Sequence, residues 1–331
     1  MHCNIQFLNL NPTYQCTSEC HHCRYFCSFQ TGAEEYMTAE CLNEILNQLE
    51  SHPLMAVCIG GGEPLLNRNA LYESILVIKS RKNIAVHLIT NGFWGTTYEN
   101  ALDIAKELKS INLDSVTVSS DAYHQMFIPL NNVKNSLKAL IKARIPVVSS
   151  GGSFTGIESL ALKYDLVTKA NLKQLEHIQK VRVEGDGLIS LVGRAADKLA
   201  NKALTTDTVH DLNCCLKPWD GGDFFNLTAI TVDTYGYIST CAGIPLGNFR
   251  QKKLREILTD YHPESHAIIN IIVKQGPAGL KELALKNGFK PRKKYLSGCH
   301  LCFESRRFLK KSIFKDILKP DICYESQKKN E

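Results

Sequence analysis

The chain has 331 residues, 44% of them hydrophobic, and a net charge of +6 at neutral pH. That is enough apolar sequence for one large core and a smaller appendage. The basic pairs Lys252-Lys253, Arg292-Lys-Lys294, Lys310-Lys311 and Lys328-Lys329 are scattered without interleaved aromatic residues, which excludes a nucleic-acid surface.

No apolar run approaches the ~20 residues that span a bilayer, so no membrane span is expected. No signal peptide precedes the first predicted strand, and thirteen cysteines partly gathered in short tracts point to metal or catalysis in a cytoplasmic protein.

In chain order, the apolar run Ile5-Gln-Phe-Leu-Asn-Leu10 reads as a first strand, and it delivers Cys16-x-x-x-Cys20-x-x-Cys23 to a loop at its C-terminal end. Three thiolates do not close a four-iron cluster, which normally takes four, and so leave one iron open for a ligand. The alternative is tetrahedral zinc with His21 or His22 as fourth ligand. After the candidate cap Thr38, Leu42, Ile45, Leu46 and Leu49 recur at helical spacing. Met55–Ile59 is a second strand, followed by Gly60-Gly-Gly-Glu-Pro-Leu-Leu66, where glycines permit close backbone approach.

Leu71, Ile75 and Ile78 mark a helix after Asn67, Ile84–Ile89 a strand ending in Thr-Asn-Gly, and Ala101, Ala105 and Leu108 a third helix. Ser115-Val-Thr-Val-Ser-Ser-Asp-Ala-Tyr-His124 is a strand with small polar side chains at its end. A helix follows Asn131, and further strands lie at Ile145–Ser149 and near Gln179–Val183. This α/β alternation of six units implies parallel strands joined by crossover helices.

Beyond about residue 205 the alternation stops and cysteines return: Cys214-Cys215, Cys241, Cys299-x-x-Cys302 and Cys323. Residues 227–241 alternate at period two on both sides of a Gly-containing turn, a β-hairpin with Cys241 at its far end. Cys215 (or its neighbour Cys214) with Cys241, Cys299 and Cys302 makes one four-thiolate set, with a zinc ribbon as the rival occupant. Cys3, Cys27, Cys41 and Cys58 are expected to be ordinary buried or free thiols.

The triplet resembles the C-x-x-x-C-x-aromatic-C signature of radical S-adenosylmethionine (SAM) enzymes, with His22 in the aromatic place, and Gly60–Leu66 resembles that family's GGEP motif. The resemblance implies a partial, TIM-like (β/α)6 barrel over residues 1–205 and a small α+β SPASM- or twitch-like auxiliary-cluster domain over 206–323. A disordered tail, 324–331, is expected to follow.

The resemblance further implies a [4Fe–4S] cluster on Cys16, Cys20 and Cys23 with an open iron, and SAM held by Gly61, Gly62, Glu63, Asn91, Ser119 and Asp121. Arg194, in Leu191-Val-Gly-Arg-Ala-Ala196, pairs with the SAM carboxylate in this reading, a bidentate task that suits guanidinium. Tyr123 and His124 are candidates to relay a proton or hydrogen atom, and a single auxiliary [4Fe–4S] cluster occupies the C-terminal cysteines.

By the same resemblance, reductive cleavage of SAM yields a 5′-deoxyadenosyl radical that takes hydrogen from substrate. The implied substrate is a peptide or protein, as in maturases of ribosomal peptides; a small-molecule dehydrogenase, epimerase or mutase is the second reading and a non-catalytic iron-sulfur redox protein the third. A flavodoxin or ferredoxin is the expected reductant, and the chain is expected to be monomeric. The first strand starts within five residues of Met1, so leader recognition is expected from a separate protein, from the barrel itself, or not at all.

Overall fold

The computed structural model describes residues 3–32, 35–153, 164–200, 214 and 223–325. The expected boundary near 205, the preferred ligand Cys215 and the chain beyond 325 lie outside these residues.

Strands β1 (Phe7–Asn11), β2 (Ala56–Ile59), β3 (Ala85–Thr90), β4 (Ser115–Ser119), β5 (Val147–Ser153) and β6 (Arg182–Leu188) pair in parallel, each with its sequence neighbour. Helices α1 (Ala39–Gln48), α2 (Arg68–Lys79), α3 (Tyr98–Ser110), α4 (Leu130–Lys142) and α5 (Leu166–Glu176) fall between the strands. Thr38 and Asn67 cap α1 and α2 through the amides of Cys41 and Ala70, as their sequence positions predict. The fourth helix starts one residue before Asn131, with Pro129 as its cap, because the fixed proline φ sets up the first turn without a side-chain bond.

Strand alternation separates two environments. Leu8, Leu10, Val57, Ile59, Val86, Leu88, Val116 and Val118 form one core with Leu42, Ile45, Leu71, Ile75, Ala101, Leu108, Val133 and Leu137 of the helices. Each such Val, Leu or Ile side chain contributes roughly 1.5–3 kcal/mol on burial. A one-residue slip of any strand would expose this row, so register is strongly specified. The same alternation turns Asn9, Cys58, Ile89 and Thr117 to the other face, where they line a cavity.

The sheet does not end at β1. Strand β7 (Ala229–Asp233) pairs with β1 in parallel over its whole length, and β8 (Tyr237–Cys241) and β9 (Ile244–Asn248) continue antiparallel. The order is β6-β5-β4-β3-β2-β1-β7-β8-β9, an open nine-stranded sheet that runs through the expected domain boundary. The predicted hairpin is β7–β8, whose turn is held by Asp233 accepting from the Tyr235 and Tyr237 amides. β9 was not legible, since Pro245 interrupts its run.

The later chain also holds α6 (Arg194–Lys198), α7 (Leu254–Thr259), α8 (Ile269–Lys286, broken at Gly276) and α9 (Gly298–Lys310). Tyr324, expected in the disordered tail, is buried instead: its hydroxyl donates to the Gly243 carbonyl at 2.6 Å and accepts from Arg306.

Candidate functional site

The loop after β1 and the loop after β2 are laced together. Gly62 N–H donates to Thr13 O and Glu63 N–H to Gln15 O, both at 2.8 Å. The contact leaves no room for a side chain: a Cβ on Gly62 would stand 2.1 Å from Gln15 O, and one on Gly61, whose φ is +97°, 2.6 Å from Thr13 O. Tyr14, stacked on Tyr235, donates to Asp233, so the hairpin turn also clamps this loop.

Cys16, Cys20 and Cys23 thereby come to one cavity of about 580 Å³ with Gly60, Gly61, Gly62, Asn91, Ser119, Asp121 and His124. The described cysteines carry no disulfide. Burial and the Glu63 charge push the Cys16 thiol up, whereas the hydrogen bond from Cys27, outweighing burial and aided by Arg194, pulls Cys23 down toward thiolate.

At the rim, Asp121 Oδ1 accepts from the Tyr123 and His124 amides and Oδ2 from His124 Nδ1 at 2.8 Å. Against the upward pull of burial, His124 and His22 hold Asp121 well below the usual carboxylate range. The Cys20 thiol also bears on His124 electrostatically. Ligand atoms of Cys20, His22 and His124 gather within 4.8 Å, while Cys16 and Cys23 stand outside that group. Two buried polar atoms beside the triplet lack hydrogen-bond partners, His22 Nδ1 and Arg194 Nη1. Three thiols on one wall, a glycine cradle closed to any Cβ, and unspent donors beside them fit a cluster with an open iron better than a closed tetrahedral ion.

Other expected side chains are engaged elsewhere. Asn91 lines the cavity, but its amide donates to Thr17 Oγ1 at 2.9 Å and so ties β3 to the cysteine loop. Tyr123 is fully buried between His22 and Tyr164 and does not line the cavity. Arg194 is also off the cavity wall; its Nη2 donates to Cys27 O at 2.6 Å and its guanidinium lies over Phe26.

Glu63 is 1% exposed and turned inward, accepting from Leu65 N, Thr90 Oγ1 and Asn91 N. Burial pushes its carboxyl up to about 7 against those hydrogen bonds. It braces the loop after β2 to the end of β3, leaving backbone rather than carboxylate at the cavity. Glu63→Ala strands three donors and is expected to cost about 3 kcal/mol; an unchanged urea midpoint would remove this role.

Cys27 and Cys58 were expected to be ordinary thiols, yet both line the cavity. Cys27 continues the cysteine spacing four residues beyond Cys23, which is the signal that was available.

A second cavity, about 660 Å³, shares Asn9, Arg24, Tyr25, Ser190 and Thr231 with the first. On its wall are Cys214, Cys241, Cys299 and Cys302. Ser297 caps α9 through the His300 amide, which puts Cys299 and Cys302 near the start of the helix at i, i+3 and hence on one face. Cys323 is buried and feels both Cys241 and Cys23.

Residues 10–157 match the model of the Radical SAM superfamily. That segment is similar to radical SAM domains, a class that carries a [4Fe–4S] cluster and SAM. Among curated relatives, YydG of Bacillus subtilis (strain 168), provisionally named a peptide biosynthesis protein, is 28% identical over 132 residues, 40% of each chain. GTP 3′,8-cyclase of Synechocystis sp. (strain PCC 6803) is 31% identical over 114 residues, 33% of this chain and 35% of the relative. The match therefore spans two fifths or less of either relative's length. The solved structure of anSMEcpe with bound AdoMet superposes with a TM-score of 0.53 at 14% identity, over 95% of this chain and 97% of that one, which is a likeness of fold. Among the described residues no helix is long and apolar enough to cross a membrane.

Proposed function

We propose that this chain is a radical SAM enzyme that modifies a peptide or protein. The observation that carries the chemistry is the convergence of Cys16, Cys20 and Cys23 with the glycine loop on one cavity. In this reading the three thiolates hold the cluster and the backbone of Gly61 and Gly62 borders the SAM amino acid. Ser119 faces the nucleoside, and Asp121 fixes the His124 ring against Cys20. When bound, cluster and SAM supply a 5′-deoxyadenosyl radical on reduction by a flavodoxin or ferredoxin; the chain positions the substrate and excludes water.

The peptide half rests on the likeness to YydG. GTP 3′,8-cyclase supports a small-molecule substrate as the second reading. Incubation with a perdeuterated candidate peptide is expected to add one deuterium to 5′-deoxyadenosine, by mass spectrometry. Deuterium arriving only from a labelled nucleotide or other small molecule would replace the peptide reading with the second.

We further propose one auxiliary [4Fe–4S] cluster on Cys241, Cys299 and Cys302, with Cys214 as the fourth thiolate described on that wall. Cys302 is buried, and the cavity is large enough to hold a cubane. Replacing Cys299 and Cys302 by Ala is expected to remove about four irons per chain while some deoxyadenosine formation persists. Unchanged iron would dispose of this centre.

A further inference from the structure

Among the described residues the largest fully buried side chain is a cation, Arg306, 1% exposed. Among the described residues no carboxylate lies within ion-pair distance of it. Its Nη1 donates to Ala242 O at 3.1 Å and to the Tyr324 hydroxyl at 2.7 Å, both neutral acceptors. The guanidinium lies 5.6 Å over the Tyr324 ring, which is stacked on Phe303. Tyr324 in turn is fastened to Gly243, so the fork is locked in place. Among the described residues Nε has no hydrogen-bond partner.

A guanidinium does not shed its proton, so burying one among neutral groups is strongly unfavourable unless an anion accompanies it. The groups whose charge bears on Arg306 are Tyr324, Cys302 and Cys241. Two of those three are among the four cysteines of the second cavity, and Arg306 lines that cavity with them. The placement is helical: Arg306 follows Cys302 by one turn of α9, which puts it on the cysteine face. A [4Fe–4S]2+ core with four thiolates carries a net charge of 2−, and its one-electron reduction makes that 3−. A buried, locked cation with no other counter-charge is what such a group requires.

We propose that Arg306 is the charge-compensating residue of the second cysteine site, donating to the Cys302 sulfur and setting the reduction potential of the group held there. The inference rests on the auxiliary-cluster reading above. Arg306 acts through the thiolates and touches no substrate. Positive charge and N–H···S hydrogen bonds both favour the reduced, more negative cluster and so raise its potential.

The test uses the full chain in the Cys16→Ala/Cys20→Ala/Cys23→Ala background, which leaves only the second site to load. After anaerobic reconstitution, iron and sulfide are measured and the cluster is titrated potentiometrically by electron paramagnetic resonance. About four irons and four sulfides per chain are expected. Adding Arg306→Gln is expected to move the midpoint at least 59 mV more negative, a tenfold shift in a one-electron equilibrium. Arg306→Lys keeps the charge but loses the planar fork, and is expected to move it the same way by less. If the Gln variant does not fold, by circular dichroism, the Lys variant alone decides. Iron present with an unmoved midpoint in the folded variants would overturn the role of Arg306 and leave the cluster standing. Zinc, or no metal, in the parent would overturn the auxiliary cluster and this inference with it.

Discussion

Replacing Cys16, Cys20 and Cys23 together by Ala is expected to abolish reductive SAM cleavage, with 5′-deoxyadenosine falling to the level of a protein-free control. All three thiols line the cavity under the glycine loop, and Cys23 is already drawn toward the thiolate that metal binding needs. Three thiolates also leave no redundancy: a cluster with two protein ligands is not retained. The fold should survive, because the triplet lies on a loop and the main core is built from strand and helix residues elsewhere. Unchanged far-ultraviolet circular dichroism with no deoxyadenosine is the predicted pair of results. Retained cleavage in the triple variant would reject the assignment of the site.

Gly62→Ala is expected to be nearly as damaging, by a different route. The new Cβ would meet the Gln15 carbonyl oxygen at 2.1 Å and backbone carbons at 2.8 Å, so the loop after β2 must leave the cysteine loop. The hydrogen bonds from Gly62 to Thr13 and from Glu63 to Gln15 go with it. Overpacking of backbone against backbone costs about 3 kcal/mol, and iron at the first site should fall with the cradle. Gly60→Ala is the internal control, since its nearest neighbours stand at 3.9 Å or beyond. That change should stay within about 0.5 kcal/mol. Equal urea midpoints and iron contents for the two variants would show that the lacing does not support the site.

Both results depend on features that differ in how plainly the sequence displays them. Strands β1 to β5 were legible because each carries a short apolar run, and α1 to α4 because each shows a 3.6-residue stripe, with Thr38 and Asn67 as caps of the first two; β6, which carries Arg182, Glu184 and Asp186, was marked only near its start, and α5 was not read. The continuation of the sheet through β7 was not, since nothing in the period-two pattern of residues 229–241 says which strand they pair with. α9 was hidden because Cys299-His-Leu-Cys302 draws attention as a ligand pair, although Ser297 three residues before His300 is a helix cap.

Within the site, chemistry-bearing residue types were visible but their orientations were not. Glu63 and Asn91 were read toward SAM; Glu63 is committed to donors of its own chain and the Asn91 amide to the cysteine loop. Arg194 was read as a carboxylate partner, yet it caps the cysteine loop at Cys27 O. Arg306 carried no sequence signal, because a lone arginine on a helix is usually solvated, and its burial is a tertiary fact.

The most direct test of the account is a single anaerobic experiment on the intact protein. After reconstitution, iron and sulfide per chain are measured, and SAM with dithionite is assayed for 5′-deoxyadenosine. About eight irons per chain with deoxyadenosine formed is the predicted result. Zinc in place of iron, or a loaded cluster that leaves SAM intact, would contradict it.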